Sequence, residues 1–225
     1  MKLQRADFYR YVLMGIAFVG ITAAAVCTGS DVYRIVPLYV SLLVMYLQTK
    51  ASRFSFLLGG CNAAYYAGVY LFLRLYGMAA YSLLLACPIQ IVAYIRWKKR
   101  TAGNATALKR LSNPQRLLWI AGFAALWTAL YFALRALGSG YILLDNTITV
   151  ISTAANILSL LCLIEFPYVQ CVAHILNITL YIQMISDEPK QWTYLIYTVY
   201  ALACGIISAV YMHKLYNKQQ KDAIS

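Results

Sequence analysis

The chain has 225 residues, of which 62% are hydrophobic and only 12% charged, and its formal net charge is +12. So apolar a chain is not an ordinary soluble domain, and its apolar runs leave no room for a soluble catalytic domain. In a soluble protein the positive excess would point to nucleic acid; here its distribution excludes that reading.

A spanning helix needs about 20 mostly apolar residues. Eight such runs follow one another, at 8–28, 33–49, 54–74, 77–97, 116–136, 142–164, 167–185 and 192–214. Lipid-exposed backbone must satisfy its own hydrogen bonds, so each run is expected to be a helix. The fold class expected is an all-α polytopic membrane protein with eight transmembrane helices.

Lys2, Arg5 and Arg10 precede the first run, which ends in Ala23-Ala24-Ala25-Val26-Cys27. A signal peptide has the same outline with a shorter apolar core, so a retained helix is expected. The run at 54–74 opens with Arg53-Phe54-Ser55-Phe56 and carries Asn62, Tyr65 and Tyr66. The next holds Pro88, expected to kink its helix, and Gln90, and closes on an aromatic and basic edge, Tyr94, Arg96 and Trp97, of which Tyr94 suits an interfacial belt with Tyr211 and Tyr216. The longest break runs from Lys98 to Gln115 and reads as a linker. Asn113 is the expected helix cap there, with Pro114 at the first helical position. Asn104-Ala105-Thr106 matches a glycosylation sequon that should stay unmodified on the cytoplasmic side.

In the second half, Asp145 lies near the start of its run and is expected to cap the helix or attract a cation. Thr149, Ser152 and Thr153 read as packing groups, and Asn156 as a binding candidate. Gln170, His174 and Asn177 follow at spacings of four and three, on one helical face. The last run ends in Tyr211, His213, Lys214 and Tyr216. Polar side chains at bilayer depth mark interiors or pathways. The substrate-binding candidates are Gln170, His174, Asn177, Asn62, Gln90, Asn156 and Tyr181, with interhelical bonding as the structural alternative.

With eight spans, Arg34, Arg74, Arg135 and Lys190 fall on one side, and the other 15 of the 19 Lys and Arg on the side of both termini. Positive residues stay cytoplasmic, so both termini are expected in the cytoplasm, with the chain in the inner (cytoplasmic) membrane. Cys27, Cys61, Cys87, Cys162, Cys171 and Cys204 lie in or at the ends of spans, without a Cys-x-x-Cys pair or a Cys/His cluster. They are expected to pack, with no metal and no cofactor.

The halves are alike. Arg53-Phe54-Ser55-Phe56 matches Glu165-Phe166-Pro167-Tyr168 at a step of 112 residues, which aligns Asn62 with His174. The expected division is an N-terminal helix (1–30), a three-helix repeat (31–98), a linker and connecting helix (99–137), a second three-helix repeat (138–216) and a tail (217–225). The single helix between the triplets gives both the same orientation, a 3+1+3 parallel-repeat core of a kind that holds substrate near the midplane.

The run Leu144-Asp145-Asn146-Thr147-Ile148-Thr149-Val150 through Ser152 and Asn156, then Glu165, with Pro88-Ile89-Gln90-Ile91 and Tyr94-Ile95-Arg96-Trp97, resembles the PnuC family of bacterial vitamin transporters over roughly residues 35–216. The resemblance implies a membrane transporter for nicotinamide riboside or a related vitamin or nucleoside, with thiamine as runner-up. It also implies a homotrimer in membrane lipid and retention of substrate by a cytoplasmic kinase. Where the family carries tryptophans and an Asn after Glu165, this chain has Pro167, Gln170 and His174. An aromatic sandwich would then draw on Tyr168, Tyr181 or Trp192.

Carboxylates are scarce in the spans and His174 is the single candidate relay, which favours facilitated diffusion over proton coupling. Arg and Lys are absent from mid-span, which disfavours a phosphorylated substrate. The alternatives of a different class are a membrane scaffold and an intramembrane enzyme built on Cys171 and His174, whose thiol apolar burial would leave inert. There is no Walker motif for ATP hydrolysis.

Overall fold

The apolar runs become helices in the computed structural model, which describes residues 2–72, 82–99, 101–102, 105–106, 108–136 and 142–222. Residues 77–81, Asn104 and the side chain of Asp145 lie outside that description. In chain order the helices are α1 (Lys2–Thr28), α2 (Val32–Thr49), α3 (Phe54–Phe72), α4 (Cys87–Lys99), α5 (Asn113–Ala136), α6 (Ile142–Leu160), α7 (Phe166–Ile185) and α8 (Trp192–Asp222). Six of the described helices are long and apolar enough to cross a membrane, and Ser82–Trp97 is a shorter apolar helix. The protein is an all-helical, multi-pass membrane protein. A two-residue ladder, Thr101 with Thr106 and Ala102 with Ala105, sits in the linker.

Local chemistry sets the helix ends. Pro88 has no N–H to give to the preceding turn, and Ser82–Ala86 there is wound as a π-helical turn. Helix α5 begins at Asn113, so Ser112 takes the cap position expected for Asn113. The Ser112 amide donates to Gln115 Oε1 at 3.0 Å, one half of a capping box.

The run expected to continue to 164 stops at Leu160. Cys162 takes a left-handed φ of 57°. Its N–H donates to Ser159 O (3.0 Å), and the N–H of Leu163 to Leu158 O (3.0 Å). This is the Schellman closure of a helix. The same turn follows α2: Ala51 has φ 48°, its N–H donates to Gln48 O (2.9 Å) and that of Ser52 to Leu47 O (3.1 Å).

Packing follows the same two-part order. Helices α2, α3 and α4 pack in sequence, as do α6, α7 and α8; α2 then meets α8, and α4 meets α6. Helix α1 leans on α8 and α2, and α5 on α6. Two hydrogen bonds join the triplets at matching places. Trp97 Nε1 of α4 donates to Ser159 O at the end of α6 (2.7 Å), and Ser208 Oγ of α8 donates to Gln48 O at the end of α2 (3.0 Å). Positions 48 and 159, 51 and 162, and 97 and 208 are each 111 apart. Trp97 is therefore a core residue, 1% exposed.

One buried cluster joins Phe56, Trp97, Leu158, Phe166 and Met212 at the ends of the triplets. The other joins Ile21, Leu38, Leu42, Tyr200 and Ala201 where α1, α2 and α8 meet. Nothing in the spanning window of α5 is buried, so that helix faces outward. Cys162 and Cys204 are buried, but Cys27 and Cys61 are exposed, so packing accounts for only part of the cysteine set.

Candidate functional site

A cavity of about 130 Å³ lies where the two triplets meet, walled by side chains from α2, α3, α4, α6 and α7. The stripe anticipated on α7 faces it: Gln170, His174 and Asn177, with Ala173 between them. Asn156, Ser152 and Ser159 enter from α6, Gln90 from α4 and Gln48 from α2. Helical spacing explains the α7 contribution, because residues three and four apart share a face.

Close backbone approaches hold these groups. Gly59 of α3 lies directly against the Gln90 amide, where a β-carbon would overlap Oε1. Gly205 of α8 lets α7 come near: a β-carbon there would stand 2.9 Å from Cys171 Sγ and 3.9 Å from His174 Cδ2. Gln170 Nε2 reaches Met45 Sδ at 3.7 Å. Asn177 Nδ2 donates to Ala173 O of its own helix at 2.9 Å, and Ser159 Oγ to Asn156 O at 2.7 Å.

Three polar atoms of the lining are buried with no hydrogen-bond partner among the described residues: Gln48 Oε1, Gln90 Oε1 and His174 Nε2. A buried polar group left unpaired costs about 1–3 kcal/mol. Three around one cavity concentrate unmet hydrogen-bonding capacity there.

The aromatic wall differs from the one anticipated. Tyr168 is 47% exposed and Trp192 46%, and Tyr181 stacks on Tyr194 with centroids 5.6 Å apart. None of the three lines the cavity. Phe56 and Phe166 do, with centroids 6.3 Å apart, each resting on Trp97 at 4.8 and 6.0 Å. Asn62 also stands outside. Its Nδ2 donates to Pro37 O (3.1 Å) and Ser41 Oγ (2.8 Å), bracing α3 against α2. Of the seven candidates, the structure brings together Gln90, Asn156, Gln170, His174 and Asn177, and adds Gln48, Phe56 and Phe166. A lone amide in the apolar run of α2 carried a signal for Gln48.

The lining is amide, hydroxyl, imidazole and phenyl. No group of three or more His, Cys, Asp or Glu suited to a metal occurs among the described residues. Such a surface hydrogen-bonds neutral hydroxyl and amide groups and stacks a flat ring.

Comparison with known proteins meets this geometry. Residues 31–213 match a family model described as the nicotinamide mononucleotide transporter. The nicotinamide riboside transporter PnuC of Neisseria mucosa is 30% identical over 172 residues, which is 73% of this chain and 65% of that protein. The chain thus spans just under two thirds of that relative's length. A crystal structure of the vitamin B3 transporter PnuC shares the fold, with a TM-score of 0.78 at 23% identity, covering 93% of this chain and 92% of that one. With its helical architecture and most of its length matched, the chain belongs to the nicotinamide mononucleotide transporter family.

Proposed function

We propose that this protein carries nicotinamide riboside, or a close vitamin relative, across the inner membrane by facilitated diffusion. The observation that carries this reading is the set of unpartnered Gln48 Oε1, Gln90 Oε1 and His174 Nε2 around one uncharged cavity. The two amide oxygens suit the N–H groups of a carboxamide or the hydroxyls of ribose. A phosphate would call for Arg or Lys, and the lining contains neither, which favours the riboside over the mononucleotide.

The cavity is close in size to one of about 150 Å³ known to hold benzene. One pyridine-like ring fits beside Phe56 and Phe166, and the sugar requires the walls to part. We infer that α2–α4 and α6–α8 are parallel repeats that move against each other. The exchanged pairing of α2 with α8 and α4 with α6 supports this, as do the paired left-handed turns. Cytoplasmic termini follow from the charge asymmetry. A homotrimer and trapping of the substrate by a cytoplasmic kinase complete the proposal; both rest on the family resemblance.

Uncoupled transport is supported by the lining, whose one ionisable side chain is His174. Thiamine is the second reading, because Phe56 and Phe166 offer ring faces to a cation. The test is uptake of radiolabelled riboside into liposomes holding the purified protein. The expected result is equilibration without an ion gradient and exclusion of the mononucleotide. Accumulation abolished by an ionophore would refute facilitated diffusion, and uptake of thiamine alone would replace the substrate.

A further inference from the structure

We propose that the groove where the linker meets α5 binds the headgroup of an anionic phospholipid. The groove has a volume of about 400 Å³ and lies at the end of α5 where the helix enters the membrane. Lys109 and Arg110 stand at it, and Leu111, Leu161, Leu163 and Trp119 wall it.

The linker is fixed there by its backbone. The N–H of Lys109 donates to Cys162 O (3.0 Å), and its carbonyl accepts from the N–H of Ile164 (2.9 Å). The N–H of Leu111 donates to Glu165 Oε1 (3.1 Å). Two cations are thus carried on a rigid segment stitched to the turn between α6 and α7.

The charge is locally unbalanced. Glu165 pairs with Arg116 at 3.0 Å, which neutralises the third cation of the region. Lys109 and Arg110 are exposed and form no ion pair among the described residues. A basic recess beside a spanning helix at the membrane surface attracts anionic headgroups.

The walls name the source of the anion. A soluble phosphate has no use for three leucines, whereas a phospholipid continues from its headgroup into acyl chains. Those chains have a track, because Leu126, exposed two turns beyond Trp119, continues the groove's face of α5. Trp119, stacked on Phe123 with centroids 5.5 Å apart, sits at the level where indole rings favour the interface. The site shares no lining residue with the cavity and does not depend on which substrate is carried.

The experiment is native mass spectrometry of the full chain released from mixed micelles of phosphatidylglycerol and phosphatidylethanolamine. The wild-type protein should retain phosphatidylglycerol preferentially. Each cation contributes roughly fivefold near a membrane surface, so Lys109→Gln with Arg110→Gln should cut that retention about thirtyfold and leave phosphatidylethanolamine unchanged. Arg110→Gln alone should cut it about fivefold, and serves if the double variant folds poorly. Equal phosphatidylglycerol retention by wild type and variants overturns the proposal. Displacement of the lipid by soluble glycerol phosphate also overturns it, because the ligand would then be a free phosphate. A change of oligomeric state with no change in lipid retention makes the groove a contact between copies of the chain, and likewise overturns it.

Discussion

Gln90 rests on the bare backbone of Gly59: a β-carbon at Gly59 would overlap Gln90 Oε1 and stand 3.0 Å from its Cδ. The glycine is what allows the amide to lie against α3, with its oxygen beside the bare backbone. We predict that Gly59→Ala displaces that amide and weakens riboside binding by about 1–3 kcal/mol, the scale of a lost buried polar contact. In the Gly59→Ala background, Gln90→Ala should cost little more, since the two act on one contact. Calorimetric titration of the four members of the cycle measures this. Additive losses would show that Gly59 acts elsewhere.

The stripe on α7 should rank by its partners. His174 Nε2 has no hydrogen-bond partner among the described residues, while the Asn177 amide already has the carbonyl of Ala173. His174→Ala is expected to weaken binding most, Asn177→Ala least, all within about 1–3 kcal/mol. Thermal shift at fixed riboside reads the order. Normal transport by all three alanine variants, Gln170→Ala included, would make the stripe a purely structural seam.

The bonds between triplets should be matched in strength. Trp97→Phe removes the donor to Ser159 O, and Ser208→Ala the donor to Gln48 O. Each removes one of the two hydrogen bonds that a carbonyl at a helix end accepts, the backbone N–H of Cys162 or Ala51 remaining, so each should destabilise by about 1 kcal/mol. Denaturation in detergent, with intact binding as the control for folding, compares them. If one variant is silent while the other unfolds, the two junctions are not equivalent.

At the opposite ends of the helices a charged cluster ties α2 to the α7–α8 connection. Arg34 Nη1 meets Glu188 Oε1 at 2.7 Å, and Lys190 Nζ meets Asp31 Oδ2 at 3.3 Å. Gln191 Nε2 donates to Glu188 Oε2 at 2.8 Å. The hydrogen bond from Arg34 chiefly, and that from Gln191, hold the Glu188 carboxyl below its ordinary 4.5. A depressed carboxyl stabilises the fold fully above that value and loses its contribution as pH falls through the lowered one. Glu188 is 43% exposed, so solvent screens the pair and the effect is small. Glu188→Gln should flatten the acid limb of the melting temperature and lower the neutral plateau slightly. Parallel acid limbs for the two proteins would count against it.

The spanning helices were legible because each buries its backbone bonds within one apolar run. The end of α6 was hidden, since Leu161-Cys162-Leu163-Ile164 continue the apolar pattern and the left-handed position holds Cys where Gly is the usual sign. The α7 stripe showed in its spacing. Asn62 has the same chemistry, yet it is claimed by the carbonyl of Pro37 and the hydroxyl of Ser41 on α2, neighbours that spacing along one helix does not reveal. Phe56 and Phe166 were invisible as cavity residues, because phenyl groups in an apolar run read as core. Trp97 showed only as part of an aromatic and basic edge beside Arg96, because the partner of its indole N–H stands at the end of a helix in the opposite triplet.

The ring-sized cavity has a thermodynamic consequence. If a nucleoside is admitted only when the walls part, its apparent dissociation constant is the intrinsic one divided by the fraction of molecules already parted. Affinity is then set partly by residues that never touch the substrate. Loosening the junction between Trp97 and Ser159 would tighten binding, even as it lowers the stability of the empty protein.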